Sequence, residues 1–470
     1  MSADALLVER CLRTARWEAR ATPRQLPIVE TQQLRAANHG RRCHEYDPNS
    51  TRKSSLERTQ WRMDDAAAGA VNIAAKCARL LSNDALDNDF DGEFASNSSA
   101  LTVVQVIGDS IADQLVSGAL SYAIALNPNL GNLHVKRDAN AQMPVIPRSV
   151  QGCVSLLNTL DWSPRPQRVT NNSAPRSTHH PHVRRVLMLS LGQWYNLAPA
   201  NDTAYAGDTD VGRIPQPNHN HPASTPAFGT RHWPSYAQVR RARGMATALE
   251  WSDDVATLLD ATTMCSSCVA VDHAGVKQPP LTVVWVESPP QHFPTMRDWQ
   301  TFKELRYEQQ QRIKKNQKEE RQSPQDESTS SPPPSLPPGV IGPFGCSIQP
   351  VPFSTTNLSS PALAAQIDLV CANASLDSTA CRERLGDWRN VLARPAIEAH
   401  NRRASAAGSR RVHVAPLASP LVSRSELHPG EDGMLLHGNP DCTHFCDPSE
   451  ATVTAAAVML NVIAQAVNRK

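Results

Sequence analysis

LTVVQVIGDSIADQLVSGALSYAIAL, residues 101–126, decides the fold class of this chain. From Leu101 to Ile107 every residue but Gln105 is apolar or β-branched, with no polar alternation, the pattern of a strand buried on both faces. Gly108 stops the run, and residues 111–126 have a helix-like composition. The turn between them, Gly108-Asp109-Ser110, sets a serine hydroxyl where a buried strand hands over to a helix, at the carboxyl edge of a sheet.

Outward from this unit the pattern repeats. Strands are expected at 132–137 (NLHVKR), 184–192 (RRVLMLSLG), 281–288 (LTVVWVES) and 411–417 (RVHVAPL). Helices are expected at 150–162, 235–261, 359–374, 381–404 and 451–468. Apolar strands alternating with helices imply an α/β domain, a doubly wound parallel sheet with helices on both faces. This domain is expected to span 101–470. Residues 1–100 lack sustained periodicity and read as a poorly ordered lead, with one helix over Trp61–Leu81. Low-complexity insertions are expected at 163–182, 199–234 and 303–340; the last runs from KELRYEQQQRIKKNQKEERQ into SPQDESTSSPPPSLPPG and reads as disordered.

Composition excludes several classes. Forty-seven basic against 45 acidic side chains leave a net charge of +2, so no global field favours nucleic acid. No run of 18 or more apolar residues occurs, so no transmembrane helix is expected within the chain, and the first twenty residues carry charges where a signal peptide needs an apolar run. Six Asn-x-Ser/Thr sites, from Asn49 to Asn373, permit a lumenal location without requiring it. The 11 cysteines point to disulfides or inert thiols; Cys265-Ser-Ser-Cys268 has metal-ligand spacing but no second ligand pair follows it. His179, His180, His182, His219, His221 and His232 share no ligand spacing and read as solvated loop residues.

Near the other end lies NPDCTHFCDPS, residues 439–449, which places Asp441 three residues before His444. A serine is a weak nucleophile until a base takes its proton, and the base needs a third group to fix its tautomer. Ser110, His444 and Asp441 supply these three roles, from the first strand's end and the loop before the last helix. Gly-Asp-Ser alone is often only a turn, and Asp441, Cys442, His444 and Cys446 also form a conceivable metal set; the ordered joint occurrence favours acyl transfer.

These residues resemble the SGNH/GDSL superfamily, and within it the PC-esterase branch that includes the trichome birefringence-like polysaccharide O-acetyltransferases. Gly108-Asp109-Ser110 matches the GDS block and Asp441-Cys442-Thr443-His444-Phe445-Cys446 the D-C-S-H-W-C block. LSLGQWYN (189–196) and ESPPQHF (287–293) resemble the G-x-W-x-N and S-P-x-H-F segments. The chain departs from the plant pattern at Asp113-Gln114, at Gln193 and after Cys446, so no plant acceptor is implied.

The resemblance implies a serine-dependent O-acyltransferase, acetylating a glycan through an acyl-serine on Ser110, with an SGNH esterase as alternative and a non-catalytic glycan-binding protein as a third. It implies oxyanion stabilisation by the backbone N–H groups of Ser110 and Gly192 with the Asn196 amide, one such donor being worth ~3 kcal/mol. Gly108 and Asp109 shape that turn, His292 lines the pocket or contacts substrate, and Trp194 and Tyr195 form a sugar wall unless buried as core. No bound cofactor or metal is expected; the acyl donor is acetyl-CoA or another acetyl carrier. Disulfides from Cys442 and Cys446, to Cys346 and one of Cys371 or Cys381, would pin the base loop. The implied location is the Golgi or secretory pathway, with membrane association only through an anchor not present in this chain.

Overall fold

The computed structural model describes residues 15–19, 59–63, 101–127, 130–136, 143, 145–163, 183–193, 195, 248–265, 281–294, 296–322, 341–342, 344–349, 368, 371–372, 387–407, 411–431, 440–446 and 449–468. The expected α/β architecture is present. A five-stranded sheet is built from β3 (Leu101–Gly108), β4 (Leu133–Lys136), β5 (Val183–Ser190), β6 (Thr282–Val286) and β7 (Val412–Ala415), in the order β4-β3-β5-β6-β7. Every pairing is parallel. A parallel sheet must be covered on both faces, and the apolar runs meet that need by pointing alternate residues to opposite sides. Val104, Val106, Val186, Met188, Val284 and Val286 pack with residues 112–120 and with α6 (Glu450–Asn468). Ile107, Leu187, Leu189, Val283 and Trp285 pack on the other side with α2 (Val150–Asn158), α3 (Ala248–Met264) and α5 (Trp388–Ala406).

The strand order reverses between β3 and β5: the chain leaves β3 for β4 on one side, then returns to β5 on the other. In open α/β sheets this switch point opens a crevice at the carboxyl ends of the two strands. Ser110 follows β3 and Gly192 follows β5, so both residues flank that crevice. Gly108 pairs with Ser190 at the very end of the ladder, and a Cβ there would stand 1.9 Å from the Ser190 carbonyl oxygen. No side chain fits without separating the strands, which explains the glycine that ends the apolar run.

Two expectations need correction. Residues 61–63 are strand, not helix: β2 (Thr59–Met63) pairs antiparallel with β1 (Ala15–Ala19), Trp17 opposite Trp61. Tryptophan suits a strand, and the pairing outweighs the helical spacing of the alanines that follow, which lie outside the described residues together with the rest of the proposed lead. Second, residues 303–322 are not disordered but belong to a helix, α4 (Met296–Gln322). Glu, Gln, Lys and Arg have high helix propensity, Glu308 and Arg312 stand four residues apart, and stacked Trp299 and Phe302, with centroids 5.3 Å apart, anchor the first turns. The segment after Ser110 is helical as expected, a π-helix (Ala112–Gly118) that tightens into α1 (Ala119–Leu126). The insertions at 164–182, 199–234 and 323–340, with the loop histidines, lie outside the described residues. So do 235–247 and most of the 359–374 helix.

Candidate active site

Ser110 sits half-buried at the start of the helical segment following β3. Its Oγ lies 2.8 Å from His444 Nε2. The other ring nitrogen, Nδ1, is 3.0 Å from Asp441 Oδ1 and 3.1 Å from Oδ2. Asp441 accepts a bond from that nitrogen, so His444 carries its proton on Nδ1 and presents the Nε2 lone pair to the serine hydroxyl. Asp441 Oδ1 also accepts the backbone N–H groups of Thr443 and His444, at 3.3 and 3.1 Å, winding acid and base into one Asx turn. Both are buried, with side-chain exposures of 1% and 8%, so the pair interacts with little screening.

The 440–446 loop is held from several sides. The Cys346–Cys442 disulfide closes a separation of 96 residues, a loop size at which a crosslink stabilises by ~4–5 kcal/mol. Cys265, Cys371 and Cys446 are disulfide-bonded as well. Asp441 and Gly430 exchange both backbone hydrogen bonds at 2.9 Å, where Gly430 has φ 59° and a Cβ would meet the Phe344 carbonyl at 2.0 Å. Gln114, one helical turn beyond Ser110, donates its amide to the Phe445 carbonyl and accepts the Phe445 N–H at 2.9 Å. The helix that follows Ser110 therefore clamps the residue beside His444.

His292 does not line an open pocket. It is fully buried, its Nδ1 2.7 Å from His428 Nε2 and its Nε2 3.0 Å from the Val422 carbonyl; His428 Nδ1 lies 2.6 Å from the His444 carbonyl. The two rings form a bridge behind the base loop, and burial pushes the His292 imidazole down to about 4. Tyr195 is core: its ring packs 4.5 Å from Trp251, and its hydroxyl donates to Asp254 at 2.6 Å while accepting the Ile146 N–H at 3.1 Å. Trp194 and Asn196 lie outside the described residues.

Asp109 joins the two strand ends. Its Oδ1 accepts the Ile111 N–H at 2.9 Å and its Oδ2 the Gln193 N–H at 3.2 Å. Burial pushes the carboxyl up to about 6, although backbone donors and the charge of Arg389 oppose this. A carboxyl whose folded pKa is raised binds its proton more tightly when folded, so its contribution to stability falls as pH rises from about 4 to about 6. Asp109→Asn lacks that loss. We expect its stability relative to wild type to improve by about 2 kcal/mol between pH 4 and pH 7, read by urea unfolding; a pH-independent difference would show that Asp109 titrates normally.

Gly192 adopts φ 116°, and a Cβ there would stand 3.1 Å from Arg389, Ser288 and Trp251. Sequence reasoning named Gly108, Asp109, Ser110, Gly192, Asp441 and His444, which the fold brings together. It missed Gln114, His428 and Arg389. Gln114 had a signal, a polar residue four positions after Ser110 on an apolar helix; His428 and Arg389 had none, because their roles depend on remote segments. No helix among the described residues is long and apolar enough to cross a membrane, and no cluster of three or more potential metal ligands occurs among them. No family model, curated protein or solved structure matches this chain.

Proposed function

We propose that this protein is a serine-dependent O-acyltransferase that moves an acetyl group onto a glycan hydroxyl. One observation carries the reading: the Ser110, His444 and Asp441 side chains, drawn from positions 110, 441 and 444, form a continuous hydrogen-bonded chain at the switch point of a parallel sheet. The ordered likeness to the SGNH/GDSL superfamily and its PC-esterase branch supports it. Disulfides support a secretory or Golgi location, since such bonds persist in oxidising compartments.

In this mechanism His444 Nε2 takes the Ser110 proton as Oγ attacks the acyl carbonyl. The carbonyl electron pair moves onto oxygen, and the backbone N–H groups of Ser110 and Gly192 are the proposed donors to that oxyanion. Collapse expels the donor's leaving group, which receives the proton from His444. The acceptor hydroxyl then repeats the sequence in reverse, passing its proton through His444 back to Ser110 and leaving with the acyl group.

An esterase uses the same chain with water as acceptor, so the two readings part at the second step. Turnover of an activated acetyl ester with and without oligosaccharides tests this. Acetylated sugar at the expense of free acetate is the expected result. Free acetate alone makes the protein a hydrolase, and no turnover by the folded protein favours a non-catalytic glycan-binding role.

A further inference from the structure

Arg389 belongs to α5, 196 residues along the chain from Gln193, yet it is 3% exposed and aimed at the loop that follows β5. Its Nε donates to the Gly192 carbonyl. Its Nη2 donates to the Tyr195 carbonyl at 3.1 Å, the Gln193 carbonyl at 3.4 Å and Gln291 Oε1 at 3.2 Å. Three carbonyls of one short loop thus face one planar fork. Burial depresses the guanidinium to about 9, with Asp109 acting against the shift.

The peptide unit joining Gly192 to Gln193 is held at both ends. Its carbonyl oxygen is taken by Arg389 and its N–H by Asp109, the residue immediately before Ser110. A peptide is planar, so fixing both polar ends fixes its orientation. The Gly192 N–H belongs to the preceding peptide, whose Leu191 carbonyl accepts the Ser288 hydroxyl, so with the peptides on both sides anchored only the rotations about the Gly192 Cα, where φ is 116°, connect them. The same helix turn grips the neighbouring strand end: Asn390 accepts the Ser288 N–H and donates to the Ser288 carbonyl, both at 2.8 Å. A buried arginine is a poor choice for stability alone, because apolar residues of similar size often serve as well or better. A lysine would supply a point charge in place of the fork.

We propose that Arg389 is a positioning residue for acyl transfer: it aligns the Gly192 N–H as an oxyanion donor by locking the Gly192-Gln193 peptide against Asp109. The assignment rests on the serine mechanism above. An oxyanion donor acts in the transition state and contributes little to ground-state binding, so misaligning it lowers kcat and spares KM.

The experiment compares full-length wild type, Arg389→Lys, Arg389→Ala with and without millimolar guanidinium, Asp109→Asn and Ser110→Ala on an activated acetyl ester, counting competent sites with a serine-directed phosphonate. Expected for Arg389→Lys is a kcat per competent site lower by about 10²-fold with KM changed less than about threefold, and partial rescue of Arg389→Ala by guanidinium. Asp109→Asn releases the same peptide from its other end and keeps Arg389, so it gives the same kcat-specific loss even where the arginine variants fold poorly. Ser110-dependent turnover with wild-type kcat per competent site in both Arg389→Lys and Asp109→Asn overturns the positioning role alone. Turnover that survives Ser110→Ala instead removes the serine mechanism, and this assignment with it.

Discussion

Ser110→Ala is expected to abolish turnover of an activated acetyl ester, by about 10⁴-fold or more, while leaving the fold intact. The size follows from the role: without Oγ there is no acyl intermediate, and what remains is the rate that binding and a preformed oxyanion site give to direct attack by water. The selectivity follows from the surroundings. Ser110 is half-buried and its hydroxyl bonds to His444, while the turn around it is held by Asp109 and by the Gly108 carbonyl, which accepts the Met143 N–H at 2.7 Å. Losing one hydroxyl at such a site costs about 1 kcal/mol or less. Thermal unfolding near the wild-type temperature combined with lost turnover is the expected pair of results, and turnover within tenfold of wild type refutes a serine nucleophile.

The central strands were legible from sequence because they are buried on both faces and so are mostly apolar, with Gln105 in β3 and Arg184 and Arg185 at the start of β5 as exceptions; β3, β5 and β6 fall within two residues of the apolar runs that announced them. The outer elements were less legible. Lys-rich and Gln-rich α4 carries no continuous apolar stripe beyond Trp299 and Phe302, so composition pointed to disorder, whereas local propensity produces a helix. Ser110, Asp441 and His444 were legible because Gly108-Asp109-Ser110 ends a buried apolar run and Asp441 stands three residues before His444, although 334 residues separate Ser110 from His444. Their supports were not. Arg389 meets the β5 loop from α5, His292 and His428 meet behind the base, and Cys346 reaches Cys442 across 96 residues, contacts that exist only after the chain has folded. The sequence marked His292 as a site residue because it stands in a recognisable segment, but in the fold that segment braces the 440–446 loop: the His292 backbone N–H donates to the Cys442 carbonyl at 3.1 Å and its ring bonds to His428.

Asp441→Asn tests the remaining link with little change in shape. The amide oxygen of asparagine can still accept the Thr443 and His444 N–H groups that Asp441 Oδ1 now holds at 3.3 and 3.1 Å, so the Asx turn survives. With that oxygen committed, the amide NH₂ faces His444 Nδ1, a donor against a donor. The ring relieves the conflict by moving its proton to Nε2, which puts a hydrogen where Ser110 needs an acceptor. The negative charge that would stabilise the imidazolium is lost in the same substitution, and at 1% exposure no solvent replaces it. We expect kcat to fall by about 10⁴-fold, with KM and the unfolding temperature close to wild type. ¹⁵N spectra of labelled histidine would show His444 changing tautomer. A fall of less than tenfold with the tautomer unchanged would mean that the backbone turn alone orients the base and that the carboxylate contributes little to proton transfer.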